Sequence, residues 1–316
     1  MIGPDDPARR LVIRPTSHDD CQVPPPSPAS PPDRSSEPDP AKLLALATDL
    51  AGQAAALLMD GLGRARTSVR TKSSPTDMVT EMDRASERLI VDGIRAARPD
   101  DAVLGEEGTN RRGTSGLRWV IDPLDGTTNY LYGHAGFSVS VAVERSGPAG
   151  GADLGIMGDD PGATTLAGVV IDPLHRDVFA ATAGGGATRN GEPIACSRQT
   201  EPGRALVATG FAYDPARRGR QAQVVARMIS QIRDIRRMGA AAIDLCSVAF
   251  GRVDAYYERS LGPWDYAAAA LIASEAGALI GNLDGGPASP AFVFAAPPTL
   301  FEPLREILAT AGAADT

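Results

Sequence analysis

Two aspartates three positions apart, Asp122 and Asp125, stand in the stretch WVIDPLDGTTNY, residues 119–130, with Gly126, Thr127 and Thr128 directly after them. Carboxylates brought this close repel one another, and the pair is tolerable mainly where a cation lies between them. Oxygen donors of this kind suit a hard ion such as Mg2+. Gly126-Thr127-Thr128 reads as the first turn of a short helix, whose unpaired N–H groups and positive dipole end form an anion site. Metal-holding carboxylates beside a phosphate-binding turn point to metal-assisted phosphoryl chemistry. The apolar run Trp119-Val120-Ile121 reads as the end of a buried strand, and Pro123, with no N–H to give to a ladder, is expected to end its pairing. Both carboxylates would then sit just past a strand end, where the chain can turn them towards one point.

Taken alone, an Asp-rich turn capping a helix is ordinary architecture, so its companions decide between the readings. LGEEG, residues 104–108, offers Glu106 and Glu107 after a short apolar run, where a solvated acidic loop is the plain alternative. KSSPTDMVTEMD, residues 72–83, ends on Asp83 in the first turn of an expected helix, and GPWDYAAAALIASEAGA, residues 262–278, carries Asp265 in the same position of another. For each of these, complementing the helix dipole would be reason enough.

Together, and in this order over most of residues 40 to 310, the four stretches resemble the signatures of the inositol monophosphatase family, Mg2+-dependent and lithium-sensitive phosphomonoesterases, and in particular its bacterial SuhB-type members. The resemblance implies two to three Mg2+ ions. Glu106, Asp122 and the Leu124 carbonyl would hold the first; Asp122, Asp125 and Asp265 the second; Glu106 and water a third. Two ions of this kind clamp the attacking and leaving oxygens of an in-line displacement. The phosphate would also rest on the N–H groups of Gly126 and Thr127. A water held by Glu106 and Thr127, with Asp83 behind Thr127, would be the nucleophile, which makes these three the catalytic residues. Glu258, in YYERSLGPWD, matches a glutamate that binds an inositol hydroxyl, and MGAAAIDL, residues 238–245 with Ala241, matches the segment flanking the inositol. Thr128 stands where relatives acting on phosphoadenosine phosphate or histidinol phosphate tend to carry lysine. One departure is Ala269, where the family usually has glycine.

Magnitudes agree that metal must carry such a reaction. Phosphate-monoester hydrolysis needs an acceleration of up to about 10^21, approaching ~29 kcal/mol. One general base supplies about 10^2 to 10^4. Of the histidines, His18 lies near the N-terminus, and His134 and His175 match no ligand of the family. A GxSxG elbow and a GxxxxGKS loop are absent from the sequence, which disfavours a serine hydrolase and a P-loop kinase. Gly184-Gly185-Gly186 reads as a tight turn.

The elements that must position these residues follow from pattern. Roughly a quarter of residues 1–40 are proline, and PPPSPASPPDRSSEPDP has almost nothing to bury. Residues 1–38 are therefore expected to be a disordered tail, with a polyproline docking segment as the alternative. It has no apolar stretch of signal-peptide type and none long enough to span a membrane. Asp39-Pro40 opens a helix running to Gly61 or Gly63, and a second runs from about Thr80 to Ala97 with Leu89, Ile90 and Ile94 on its buried side. Strands are expected at 102–105, 117–122, 136–144, 166–172 and 177–182, with an enlarged loop at 146–165. From Ala205 strand and helix alternate: strands at 205–208, 253–257 and 291–296, helices at 215–230, 241–250, 263–277 and 298–310. Layered α/β architecture follows, and the resemblance sharpens it to the five-layer α-β-α-β-α sugar-phosphatase fold over 39–316. Its metal and phosphate half would occupy about 39–200 and its substrate half 201–316.

A net charge of −8 argues against non-specific nucleic-acid binding as the main task. Three cysteines without CxxC spacing, Cys21, Cys196 and Cys246, suggest neither a disulfide framework nor a zinc site, and a reducing cytoplasm fits. The reading is a cytoplasmic, homodimeric phosphatase acting on inositol monophosphate. Histidinol phosphate, fructose 1,6-bisphosphate or another sugar phosphate is the alternative alcohol. A role of another class is contact with RNA or RNA polymerase, as some SuhB-type proteins assist transcription complexes. Arg217, Arg218, Arg220, Arg227, Arg233, Arg236 and Arg237 would supply such a surface, and a solvated face is the bland alternative.

Overall fold

The computed structural model describes residues 38–62, 69–71, 78–147 and 162–316. The Pro-rich tail and most of the loop expected at 146–165 lie outside them, and Pro38–Thr316 forms one compact unit. Seven helices are described: α1 (Pro40–Gly61), α2 (Glu81–Ala97), α3 (Thr127–Tyr132), α4 (Pro215–Met228), α5 (Ala241–Ala249), α6 (Pro263–Glu275) and α7 (Pro298–Thr310). Strands β1 (Val69–Thr71) and β2 (Met78–Thr80) pair with each other. Eight more, β3 (Ala102–Gly105), β4 (Asn110–Arg111), β5 (Leu117–Asp125), β6 (Ser138–Arg145), β7 (Thr164–Asp172), β8 (Asp177–Thr182), β9 (Ala187–Arg189) and β10 (Glu192–Pro193), form one sheet in the order β10-β9-β8-β7-β6-β5-β3-β4. The last five, β11 (Leu206–Thr209), β12 (Asp234–Arg236), β13 (Ala255–Glu258), β14 (Leu279–Gly281) and β15 (Val293–Ala296), form a second sheet in the order β12-β11-β13-β15-β14.

Three apolar cores glue five layers. The first joins α1 and α2 to the outer face of the eight-stranded sheet through Leu50, Leu58, Ile90, Trp119 and Val141. In the middle, α5 and α6 are sandwiched between the two sheets, with Leu245, Val248, Ile272, Val170 and Tyr256 buried together. Helices α4 and α7 close the far side of the five-stranded sheet through Val224, Met228, Phe294 and Leu304. This is the expected α-β-α-β-α order.

Local chemistry explains the ends. Asp39 accepts the Ala41 N–H at 3.0 Å and Pro40 takes the first helical position, so α1 starts where the sequence says. This helix is long and apolar enough in composition to cross a membrane, yet Leu43, Ala47, Leu50, Ala54 and Leu58 are buried against the sheet and α2. Of the residues expected on the inner side of α2, Ile90 and Ile94 are fully buried and Leu89 is half-buried. Helix α6 is small-residue-rich because the sheet runs close beneath it. A Cβ on Gly168 of β7 would lie 2.9 Å from Ala268 Cα. The additional methyl of Ala269 is fully buried in the same core.

One expectation fails. Pairing does not end at Pro123: β5 continues to Asp125, with Asp122 opposite Ser140 and Asp125 opposite Ser138 on β6. Two residues of β5, Pro123 and Leu124, therefore face a single position of β6. The missing N–H of proline is absorbed in a bulge instead of a strand end. The parallel partner β3 does stop, at Gly105 opposite Ile121.

Candidate active site

The bulge makes the site. An uninterrupted strand would send residues an odd number of positions apart to opposite faces. The extra residue between Asp122 and Asp125 re-aims one of them, and both are buried, at 1% and 8% exposure. Asp122 accepts the Leu124 N–H at 3.0 Å, which folds its carboxylate back over the bulge. Asp125 points across to the second half of the chain. It accepts the N–H groups of Ala242 at 2.8 Å and Ala241 at 3.3 Å, so it sits on the N-terminal end of α5.

Glu106 enters from the end of β3, where its own N–H donates to the Ile121 carbonyl at 3.2 Å. Asp265 enters from the first turn of α6, where its carboxylate accepts the Gly262 N–H at 2.6 Å and its own N–H donates to the Gly262 carbonyl at 3.1 Å. Electrostatics show that the four carboxylates share one space. Asp122 is held well above the ordinary carboxylate range by burial, then by Glu106, Asp125 and Asp265, and it shares a hydrogen bond with Glu106. Burial pushes Asp125 up to about 7, the Ala242 N–H pulls it back, and Glu106 and Glu258 push further. Asp265 is likewise driven well up by burial, Glu106 and Asp125.

Four acids from three separate stretches of sequence thus share one space, and the ionisation of the three aspartates is suppressed there. The donor set is all oxygen, which fits a hard divalent cation and not a thiophilic one. Among the described residues, no three of His, Cys, Asp or Glu stand in an arrangement that could hold a metal ion as they are placed. Three of the four carboxylates rest instead on backbone N–H groups: Asp122 on Leu124, Asp125 on Ala241 and Ala242, and Asp265 on Gly262.

The rest of the motif is structural cement. Gly126 adopts φ 85°, and a Cβ there would lie 2.6 Å from the Gly136 carbonyl, so only glycine makes the turn into α3. The Thr127 hydroxyl, expected to orient the nucleophile, donates to the Leu124 carbonyl at 3.1 Å, the oxygen expected to face the first ion. Asn129 donates to the carbonyls of Gly136 and Met238 at 2.6 and 2.8 Å, tying the motif to the segment before α5. Tyr130 donates to Leu58 O of α1 at 2.7 Å. Asp83 is buried on the first turn of α2, which packs on β5.

Glu258 lies at the end of β13, half-buried, with Tyr256 donating to it at 2.7 Å. Burial raises its carboxyl to about 7, against the pull of Tyr256 and Arg237. It acts electrostatically on Asp125, Asp265 and Asp244, which places it beside the four acids. Asp244 was not singled out from the sequence. It is 1% exposed on α5, and burial, Glu258 and Asp125 hold its carboxyl well up. The signal was available: it is the one acid in AAIDLCSVA, a helix buried on every side. Ala241, expected beside the substrate, begins that helix and gives its N–H to Asp125.

Of the remaining motifs, Arg237 reaches this site, where its charge acts on Glu258 and Asp244, while the others make their bonds elsewhere. Gly184 and Gly186 donate to the two oxygens of Glu275 at 2.7 and 2.8 Å, so the glycine run is the expected tight turn, pinned to the end of α6. His175 bonds Asp172 in the β7–β8 turn. In the arginine-rich region, Arg217 bonds Ser260, Arg218 the Tyr213 carbonyl, Arg227 the Ala311 carbonyl, and Arg236 Asp234.

Comparison with known proteins agrees with this geometry. Residues 39–159 and 160–314 match the inositol monophosphatase family. The inositol-1-monophosphatase SuhB of Mycobacterium tuberculosis is 40% identical over 279 residues, covering 82% of this chain and 91% of the relative. The Nus factor SuhB of Escherichia coli K12 is 36% identical over 218 residues, covering 68% of this chain and 76% of the relative. Among solved structures, the Thermotoga maritima IMPase superposes with a TM-score of 0.74 at 30% identity, covering 86% of this chain and 98% of that one. With the fold, the order of the motifs and the whole length of the catalytic domain in agreement, the chain belongs to the inositol monophosphatase family, whose members are generally metal-dependent, and is a phosphatase.

Proposed function

We propose that this phosphatase hydrolyses myo-inositol monophosphate to inositol and phosphate with Mg2+ as its metal, two to three ions per site. The observation that carries the reading is the buried group Glu106, Asp122, Asp125 and Asp265, set beside a second acidic group, Glu258 and Asp244. The first four, with the Leu124 carbonyl, are the residues that would hold the ions. Bound Mg2+ would supply charge neutralisation and an acidified water. The chain does the rest. Gly126 and Thr127 would offer N–H groups at the start of α3 to phosphate oxygens, and Glu106 and Thr127 would orient the attacking water, with Asp83 behind Thr127. Glu258, half-buried beside the four acids, would be the acceptor for a hydroxyl of a polyol, a contact that an aromatic or aliphatic alcohol would leave unused. The inositol phosphatase name of the mycobacterial relative supports the same alcohol.

Glu258 tests the substrate assignment. A charged acceptor on a substrate hydroxyl is worth roughly 1.5–3 kcal/mol, about ten- to a hundred-fold. The contact lies away from the bond being broken, so Glu258→Gln should raise KM for inositol 1-phosphate by about that factor with a smaller change in kcat. On p-nitrophenyl phosphate, which has no ring hydroxyls, it should do little. Equal losses on both substrates would move Glu258 into the metal site, and no loss on either would remove the inositol assignment.

A cytoplasmic homodimer completes the proposal. The Nus factor name of the Escherichia coli relative supports a second role in transcription complexes, with α4 and its arginines as the surface. Salt-sensitive binding to RNA polymerase or RNA would establish it beside phosphate release.

A further inference from the structure

Helix α2 changes character halfway along its buried stripe. Ile94 and Ile90 are apolar core, but the next two turns bury Glu87, Ser86 and Asp83. A buried carboxylate needs partners. Those of Glu87, 5% exposed, are all in one loop: the Glu107 N–H at 2.8 Å, the Thr109 N–H at 3.1 Å and the Thr109 hydroxyl at 2.6 Å. The carboxylate grips the chain immediately after Glu106. It also dictates the residue before it, because a Cβ on Gly105 would overlap Glu87 Oε2. The adjacent Ser86 donates at 2.9 Å to the Pro123 carbonyl, inside the bulge between Asp122 and Asp125.

Two neighbouring residues on one rigid helix therefore hold both ligand-bearing segments, one from β3 and one from β5. We infer that Glu87, with Ser86, is a positioning residue that sets the spacing of Glu106 from Asp122 and Asp125 and thereby the affinity of the site for divalent cations. This rests on the metal reading of the four carboxylates. Neither residue belongs to the ligand set. Their effect runs through backbone position, and removal of groups that orient ligands typically lowers metal affinity or activity about 10- to 100-fold.

Glu87→Gln keeps the shape and sets an amide NH2 against donors that need an acceptor. Thr109→Val is gentler, removing the 2.6 Å bond and little else. Mg2+ binding is read by calorimetry and by the rise in Tm on adding Mg2+, neither of which needs turnover. Glu87→Gln should weaken Mg2+ binding about ten-fold or more, and Thr109→Val about two- to five-fold in the same direction. The Mg2+ concentration for half-maximal phosphate release should rise in parallel, while KM for substrate at saturating Mg2+ stays near wild type. A lower Tm with unchanged Mg2+ affinity in Thr109→Val would overturn the inference and leave Glu87 a loop anchor; that variant decides even if Glu87→Gln does not fold. If wild-type protein binds no Mg2+, the metal reading itself has failed.

Discussion

Asp122→Asn should leave a folded protein whose turnover at saturating Mg2+ is at least about a hundred-fold below wild type, the loss expected of even one catalytic group. The asparagine keeps the shape, and its oxygen can still accept the Leu124 N–H that Asp122 accepts at 3.0 Å, so the bulge survives. What disappears is the negative charge at the centre of the cluster, where Glu106, Asp125 and Asp265 all act on Asp122. With metal chelated, the same change removes like-charge repulsion and should raise Tm. Loss of turnover with a gain of apo stability is the signature of a charge kept for chemistry. Retention of more than about a tenth of wild-type activity would refute the role given to Asp122, since a single catalytic group contributes about 10^2 or more.

Chelated wild-type protein should lose stability as the pH rises from about 4 to about 7, and Mg2+ should restore most of it at the upper end. Asp125 and Glu258 titrate near the ordinary carboxylate values of 3.8 and 4.5 when unfolded and at about 7 in the fold. Between those limits the unfolded chain has released protons that the folded chain retains. The folded state then binds more protons than the unfolded one, so the free energy of unfolding falls with pH and levels off above about 7. For Asp125 alone the shift is on the order of 4 kcal/mol at 1.36 kcal/mol per unit, and Asp122 and Asp265 move in the same direction. Bound cations favour the ionised carboxylates, so Mg2+ should raise Tm strongly at pH 7.5 and barely at pH 4.5. The check is calorimetry across that range with chelator and with Mg2+. A chelated protein that gains stability from pH 4 to 7 would contradict the burial and mutual repulsion assigned to these groups.

Much of this was legible in the sequence because local chemistry and tertiary need agree. Asp39-Pro40 starts α1, the apolar runs mark the central strands, and acids from three separated motifs meet in one place. Short edge strands were not legible. β12, Asp234–Arg236, is polar and half-exposed, and its pairing comes from β11 beside it, not from any pattern of its own. Pro123 misled for a physical reason. Proline does remove a ladder donor, but a bulge accommodates the loss and turns it into the device that brings Asp122 and Asp125 into one site. Glu87 was hidden because it looks like an ordinary helix acid in one dimension, and Asp244, although the one acid in an apolar helix, shows in the sequence no partner for its charge. Only the packing of α5 between two sheets, and the bonds of α2 to the β5 bulge and to the loop after β3, show what they face.

Phosphate release by the full chain is the most direct measurement, with metal first chelated and Mg2+ then titrated back. Inositol 1-phosphate is compared with histidinol phosphate, fructose 1,6-bisphosphate and NADP. A Mg2+-dependent inositol phosphatase gives no release under chelator, full recovery with Mg2+ and the highest kcat/KM on inositol 1-phosphate. Release that persists under chelator, or preference for another of the four, would contradict it.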